Sequence, residues 1–293
     1  MSMLVNIPTL NDEPSDFDYL FQMWDQLKGD NLEVTFDFTG CRFLRQNAVA
    51  FIGGLANLVH HRNGRVNWNW ESIDPSVAEN LAQKGFQFSF GEWRIVSPKN
   101  SIPYRQDTIL DDQEIMTYLK RKWIGRGWIN ISPRLRDAIA GHVWETYINV
   151  FDHAESTIGI FSCGQYYPNM NLLKLTVVDF GVGIPASVRW YFRQDPRGEK
   201  LTAAQCLNWA FRAGTSTKPG GRGIGLDLLK AFVQLNHGKL EVYSHEGYAL
   251  VSHNEERYAN RSAYFEGTLV NITFICDARR YCLTSEAKHE PLF

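Results

Sequence analysis

Residues 214–230, GTSTKPGGRGIGLDLLK, gather five glycines, three hydroxyl residues and the cations Lys218 and Arg222, and then turn apolar with helical spacing. Two common nucleotide loops fail on this stretch. A P-loop requires a lysine directly after the last glycine of G-x-x-x-x-G-K-[ST], and none stands there. A dinucleotide loop requires G-x-G-x-x-G after a strand, whereas GRGIG has the wrong spacing and follows no strand. What remains is general anion-binding physics. Glycines let backbone N–H groups converge on an oxygen, and a helix starting near Gly223 points its positive end at them. A surface turn with incidental cations would explain the loop if it stood alone, so its neighbours decide.

The first neighbour is a helix expected over residues 133–154, with Ser132 as its cap and Pro133 in its first turn. On it Glu145, Asn149 and His153 stand at i, i+4 and i+8 as one polar stripe, beside an apolar face of Ile139, Val143, Thr146 and Val150. A carboxylate one turn from an amide can activate a water or hydroxyl and hold a hydrated Mg²⁺ through oxygen. A solvated helix edge with a hydrogen-bonded Asn149 explains the stripe equally well. The second neighbour is VVDFGVGIP, residues 177–185, where an apolar strand ends at Asp179 just before Gly181 and Gly183. A carboxylate there meets a sharply bent backbone that a planar ligand can approach, and Asp can accept from the exocyclic amine of adenine. D-x-G-x-G is also an ordinary turn.

The rest of the chain frames these segments. Its 293 residues, 44% hydrophobic, suffice for two domains. LEVTFDF (32–38) and RVNWNW (65–70) read as strands, residues 46–61 as a helix stopped at Asn63-Gly64, and DPSVAENLAQKGF (74–86) as a helix capped by Asp74 and stopped at Gly85. This βαβα alternation implies a small sheet flanked by helices. Polar, proline-punctuated residues 92–103 mark a boundary, and a helix over residues 111–123 follows. Further on, NLLKLTVVDFGVGIP is a β-run ending in glycines and RGIGLDLLKAFVQLNHG a helix stopped at Gly238. KLEVYSHEGYALVS and GTLVNITFI are closing strands separated by a polar hairpin.

Net charge is -2 with both signs interspersed, which argues against nucleic acid as a partner. No apolar run is long enough for a membrane span, and the first residues lack the basic and apolar regions of an export signal, so the expectation is a cytoplasmic protein without membrane association. Five cysteines without a C-x-x-C pair argue against both disulfides and zinc.

In the order E-x-x-x-N-x-x-x-H-A, D-x-G-x-G-I-P, then G-T-S-T-K-P-G-G-R-G-I-G-L, the three motifs resemble the GHKL superfamily, the ATP-binding fold of sensor histidine kinases, anti-sigma kinases, gyrase B, Hsp90 and MutL. The resemblance spans roughly residues 130–277 and includes a closing Gly-Thr strand. It implies Glu145 as general base, Asn149 as Mg²⁺ ligand beside His153, and Asp179 on the adenine amine with Thr268 nearby. It makes Gly181 and Gly183 the nucleotide floor, and Lys218, Gly221, Arg222, Gly223, Gly225 and Leu226 the phosphate end of an ATP lid. Residues 185–213 would complete that lid and order on nucleotide binding.

Residues 34–90 are similar to STAS domains of the anti-anti-sigma type, but where that family carries a phospho-accepting D-S-S-G turn this chain has Arg45-Gln46-Asn47-Ala48, without a hydroxyl. Phosphorylation there is excluded, which leaves docking or regulation. The helix before the ATP-binding segment contains no His, which excludes a sensor histidine kinase.

The resulting expectation is an α/β (α+β) protein of two domains. Residues 1–97 form a STAS-like β/α domain, 98–130 a linker and helical connection, and 131–293 a Bergerat-type α/β sandwich with a mixed sheet and helices on one face. Its implied function is that of a Mg²⁺-dependent, ATP- and ADP-binding regulatory protein, a slow ATPase or nucleotide-gated switch, contacting a protein partner through the STAS-like domain or the lid. A serine/threonine kinase of the anti-sigma type acting on a separate partner, and a scaffold with structural ATP, are the alternatives; a homodimer is left open.

Overall fold

A strand that local patterning did not single out opens the chain. In the computed structural model, which describes residues 2–92, 96–212 and 227–287, β1 (Ser2–Asn6) is followed by α1 (Pro14–Gln26), β2 (Glu33–Asp37), α2 (Gln46–His61) and β3 (Arg65–Asn69). The strands form a parallel sheet in the order β1-β2-β3. Alternation turns Val34 and Phe36 inward and leaves Thr35 on the opposite face. Helix α3 (Pro75–Gln83) starts as its sequence demands: the Asp74 carboxylate accepts from the Ser76 N–H at 2.9 Å and Pro75 occupies the first turn. Helix α4 (Phe86–Ser89) follows.

The proline-punctuated stretch expected as a linker contributes a strand. β4 (Ser101–Asp107) pairs antiparallel with β5 (Ile160–Tyr167), so part of residues 98–130 belongs to the second sheet. Between them lie α5 (Asp112–Thr117), which runs into a π-helical turn (Tyr118–Trp123), and α6 (Pro133–Asn149), capped by the Ser132 hydroxyl accepting from Leu135 N–H at 3.1 Å. After β6 (Leu172–Asp179) come α7 (Gly183–Tyr191), α8 (Ala203–Ala210), α9 (Asp227–Leu235), β7 (Lys239–Ser252) and β8 (Glu256–Ile275).

One feature of the expected sandwich needs correction. The five strands, in the order β4-β5-β6-β8-β7, are antiparallel throughout rather than mixed. The sheet's second face is covered from outside the sandwich, by α1 and α2 of the front half, a packing the sequence reading did not foresee. Ile160, Leu175, Val177, Val242 and Ile272 point to α5, α6 and α9, while Phe161, Cys163, Val178, Tyr243 and Leu269 point to α1 and α2. β6 is accordingly buried along almost its whole length, as a strand covered on both sides must be. The first closing strand, β7, has the expected bounds, but the second is longer than expected: residues 256–266 of the supposed polar hairpin are strand, and residues 253–255 make the turn.

Helix α2 therefore lies between two sheets, and its residues 46–56 are buried on every side. Its glycine pair gives neighbouring rings room: a Cβ on Gly53 would stand 2.5 Å from the Tyr104 ring, and one on Gly54 would stand 2.2 Å from that of Phe180. At its N-terminus Gln46, Asn47 and Ala48 are buried. Gln46 donates to Thr176 Oγ1 at 3.3 Å and Asn271 Oδ1 at 3.2 Å and accepts from the Tyr167 hydroxyl at 2.9 Å, while Asn47 donates to Asn11 O at 2.9 Å. Among the described residues no helix is long and apolar enough to cross a membrane.

Candidate functional site

β6 is the middle strand of the five, and Asp179 is its last residue. Antiparallel register sets Thr268 of β8 directly opposite. The Asp179 carboxylate is buried and accepts from the Gly181 N–H at 2.9 Å. Burial pushes its pKa up to about 7, opposed by the backbone N–H groups of Gly181 and Thr268 that favour the charged form.

The turn after Asp179 is held by contacts too close for side chains. A Cβ on Gly181 would lie 1.9 Å from Ala154 O, and one on Gly183, whose φ is +74°, would lie 2.2 Å from Glu266 O. Across the strands a Cβ on Gly267 would lie 2.0 Å from Asp179 O, which explains the glycine of the closing Gly-Thr pair. The Val182 N–H donates to Ala154 O at 2.7 Å, and the Ser244 hydroxyl accepts from Ile184 N–H at 3.0 Å and donates to Gly267 O at 2.9 Å. Ser244 also lies 3.2 Å from Thr268 Oγ1. The His245 Nε2 donates to Val182 O at 2.9 Å, and burial pulls this imidazole below its ordinary pKa.

Ala154 ends a π-helical turn, Val150–Ala154, that continues α6. The helical stripe and the strand-end motif thus meet at Ala154 and Gly181. Glu145 and Asn149 stand one turn apart on α6, both half-buried. Asn149 Nδ2 and Thr146 Oγ1, three positions apart, are buried polar atoms without a hydrogen-bond partner among the described residues. His153 lies in the π-helical turn, and its side chain falls outside the described residues. Lys218, Gly221, Arg222, Gly223, Gly225 and Leu226 also lie outside them, while α9, which follows that loop, packs against α6 and β7.

Of the segment expected to order on nucleotide binding, the residues up to 212 are described: α7 and α8 bury Val188, Ala203, Cys206, Leu207 and Ala210, and α8 packs on β7.

Ser244 and His245 are residues of the candidate site that sequence reasoning missed, because their roles arise only through contact of β7 with the turn after β6. Phe180 was also missed. Its ring leaves the site and packs on Phe51, Phe161 and Phe265 at centroid distances of 5.2, 5.9 and 5.4 Å.

Among the described residues no group of three or more His, Cys, Asp or Glu side chains could hold a metal ion. A Mg²⁺ bound through one amide oxygen, water and phosphate oxygens requires no such group, so the donor set around Asn149 fits that mode only. No family model matches the chain, and no curated protein matches it.

Proposed function

We propose that the chain is a Mg²⁺-dependent ATP-binding regulatory protein of the GHKL type, a slow ATPase whose nucleotide state governs contact with a protein partner. The observation that carries this reading is the buried carboxylate of Asp179 at the end of the central strand, with Thr268 opposite and Gly181 pressed on the helix that bears Glu145 and Asn149. Beside the Gly181 and Thr268 N–H groups the carboxylate has lone pairs to spare, and the exocyclic amine of adenine supplies a further donor. In this reading Glu145 takes a proton from the attacking water, the Asn149 amide oxygen holds Mg²⁺, and the loop containing Lys218 and Arg222 receives the phosphates. The ion would neutralise phosphate charge when bound.

Because α1 and α2 are buried against the five-stranded sheet, a partner meeting the front half would contact the outer face of β1-β2-β3, where Leu4 is exposed.

Calorimetric titration with ATP and ADP, with and without Mg²⁺, followed by phosphate release on the same sample, tests the proposal. Glu145→Ala is expected to bind ATP and release no phosphate. Absence of ATP binding to the unaltered chain would overturn the reading. Release to water supports the ATPase; label from γ-phosphate appearing on a protein hydroxyl would turn it into the kinase alternative.

A further inference from the structure

β7 and β8 pair in regular register from Lys239 opposite Thr273 to Ser244 opposite Thr268, and there the register breaks: His245 stands opposite Phe265, and Gly247 opposite Asn260. At the break the backbone of His245 has φ +54°, in the left-handed region that side chains rarely adopt.

Consecutive residues of a regular strand point to opposite faces. A bulge suspends that alternation and re-aims a side chain. Here it lets Ser244 and His245, neighbours in the chain, reach the same turn. The Ser244 hydroxyl accepts from Ile184 N–H at 3.0 Å and His245 Nε2 donates to Val182 O at 2.9 Å, so the residues on either side of Gly183 are gripped by two adjacent side chains. Gly183 is pressed into that grip: a Cβ there would lie 2.7 Å from Ser244 Oγ and 3.0 Å from His245 Cδ2.

A left-handed residue other than glycine is held so by its surroundings, and such positions gather at functional sites. Glycine would take this φ without strain, so what His245 adds is its imidazole. The ring is buried and backed by the Tyr264 ring at 5.1 Å. Burial keeps it below its ordinary pKa, so at neutral pH it carries one N–H, and a carbonyl partner, which can only accept, sets that proton on Nε2.

We propose that His245 is a positioning residue of the nucleotide site: by holding Val182 O it fixes, with Ser244, the turn through which Gly183 and Asp179 meet the adenine. The inference rests on the ATP-binding reading and adds to it the part that governs affinity. The imidazole acts through the turn and not on the phosphates, so it leaves the chemical step alone.

His245→Gln and His245→Asn, made in the full chain, are the test. The Gln Nε2 lies as many bonds from Cα as the imidazole Nε2 and can still donate to Val182 O, whereas Asn suits the left-handed backbone but falls one bond short. Calorimetry should give His245→Gln an ATP Kd within about threefold of the unaltered chain and His245→Asn a Kd about tenfold higher, with phosphate release at saturating ATP equal in all three. Deuterium uptake at residues 181–184 without nucleotide should quicken in His245→Asn and not in His245→Gln. Should His245→Asn fail to fold, Ser244→Ala, which frees the Ile184 N–H of the same turn, is expected to show the same rise in Kd. Affinity unchanged in His245→Asn, an equal loss in His245→Gln, or unchanged uptake would each overturn the positioning role. Failure of the unaltered chain to bind ATP would bring down the nucleotide reading and this role with it, whereas ATP binding indifferent to these substitutions would sink this role alone.

Discussion

Asp179 carries two loads that a single substitution separates. Its pKa, raised to about 7 by burial, lies above its unfolded value, so its contribution to stability is intact below about pH 4 and is lost as pH rises through about 7. Asp179→Asn removes that titration. Relative to the unaltered chain, the variant is expected to gain a few kcal/mol between pH 4 and 8, read by urea unfolding at several pH values, and to lose ATP binding. A variant that still binds ATP would sink the role given to this residue. Lys84 runs the other way. It is buried, its ammonium donates to the Asn80 and Gln165 side-chain oxygens, and burial pulls its pKa down to about 8. The folded value lies below the unfolded one, so stability rises with pH from about 8 toward 10.5. Lys84→Met should abolish this gain, which denaturant midpoints at pH 7 and pH 10 would reveal; an unchanged pH dependence would contradict it.

At the scale of elements, contact between α2 and the turn after β6 is the joint that deserves a mutation. Phe180 enters an aromatic cluster with Phe51, Phe161 and Phe265 through the gap left by Gly54, one residue from Asp179. Phe180→Ala is expected to cost about 3 kcal/mol of stability and to weaken ATP binding although no nucleotide contact is removed; equal affinity would show that the turn holds its shape without α2. Elements with local signals were legible in the sequence. The alternation of residues 32–38, the Asn63-Gly64 stop and the Asp74-Pro75 start mark β2, α2 and α3, because caps and pleats act over a few residues. β4 was not legible, since Pro103 and polar flanks disguise a strand whose order comes from pairing with β5. In the site, Glu145, Asn149, Asp179 and Thr268 stood out by spacing and resemblance. Ser244 and Phe180 did not, since Ser244 accepts from the Ile184 N–H 60 residues away and Phe180 packs on Phe51 and Phe265 from distant elements.

Across the whole molecule, the two halves share a core. Val34, Phe36, Phe51 and Leu55 of the front half join Phe161, Val178, Tyr243 and Leu269 of the five-stranded sheet in one apolar cluster. No local pattern announces such a union, because helix α2 reads as apolar whether it faces one sheet or two. A chain lacking residues 1–92 would expose that face of the sheet, and it is expected to aggregate or to bind hydrophobic dye rather than fold alone. Calorimetry of the full chain should show one transition; two well-separated transitions would show that the halves are independent.

The position of α2 also dictates where water arrives last. Strands at sheet edges open by fraying, but a helix enclosed by two sheets can lose its amide protons only when both layers part. Deuterium uptake should therefore be slowest in residues 46–59, and the rate there should report the opening of the entire fold.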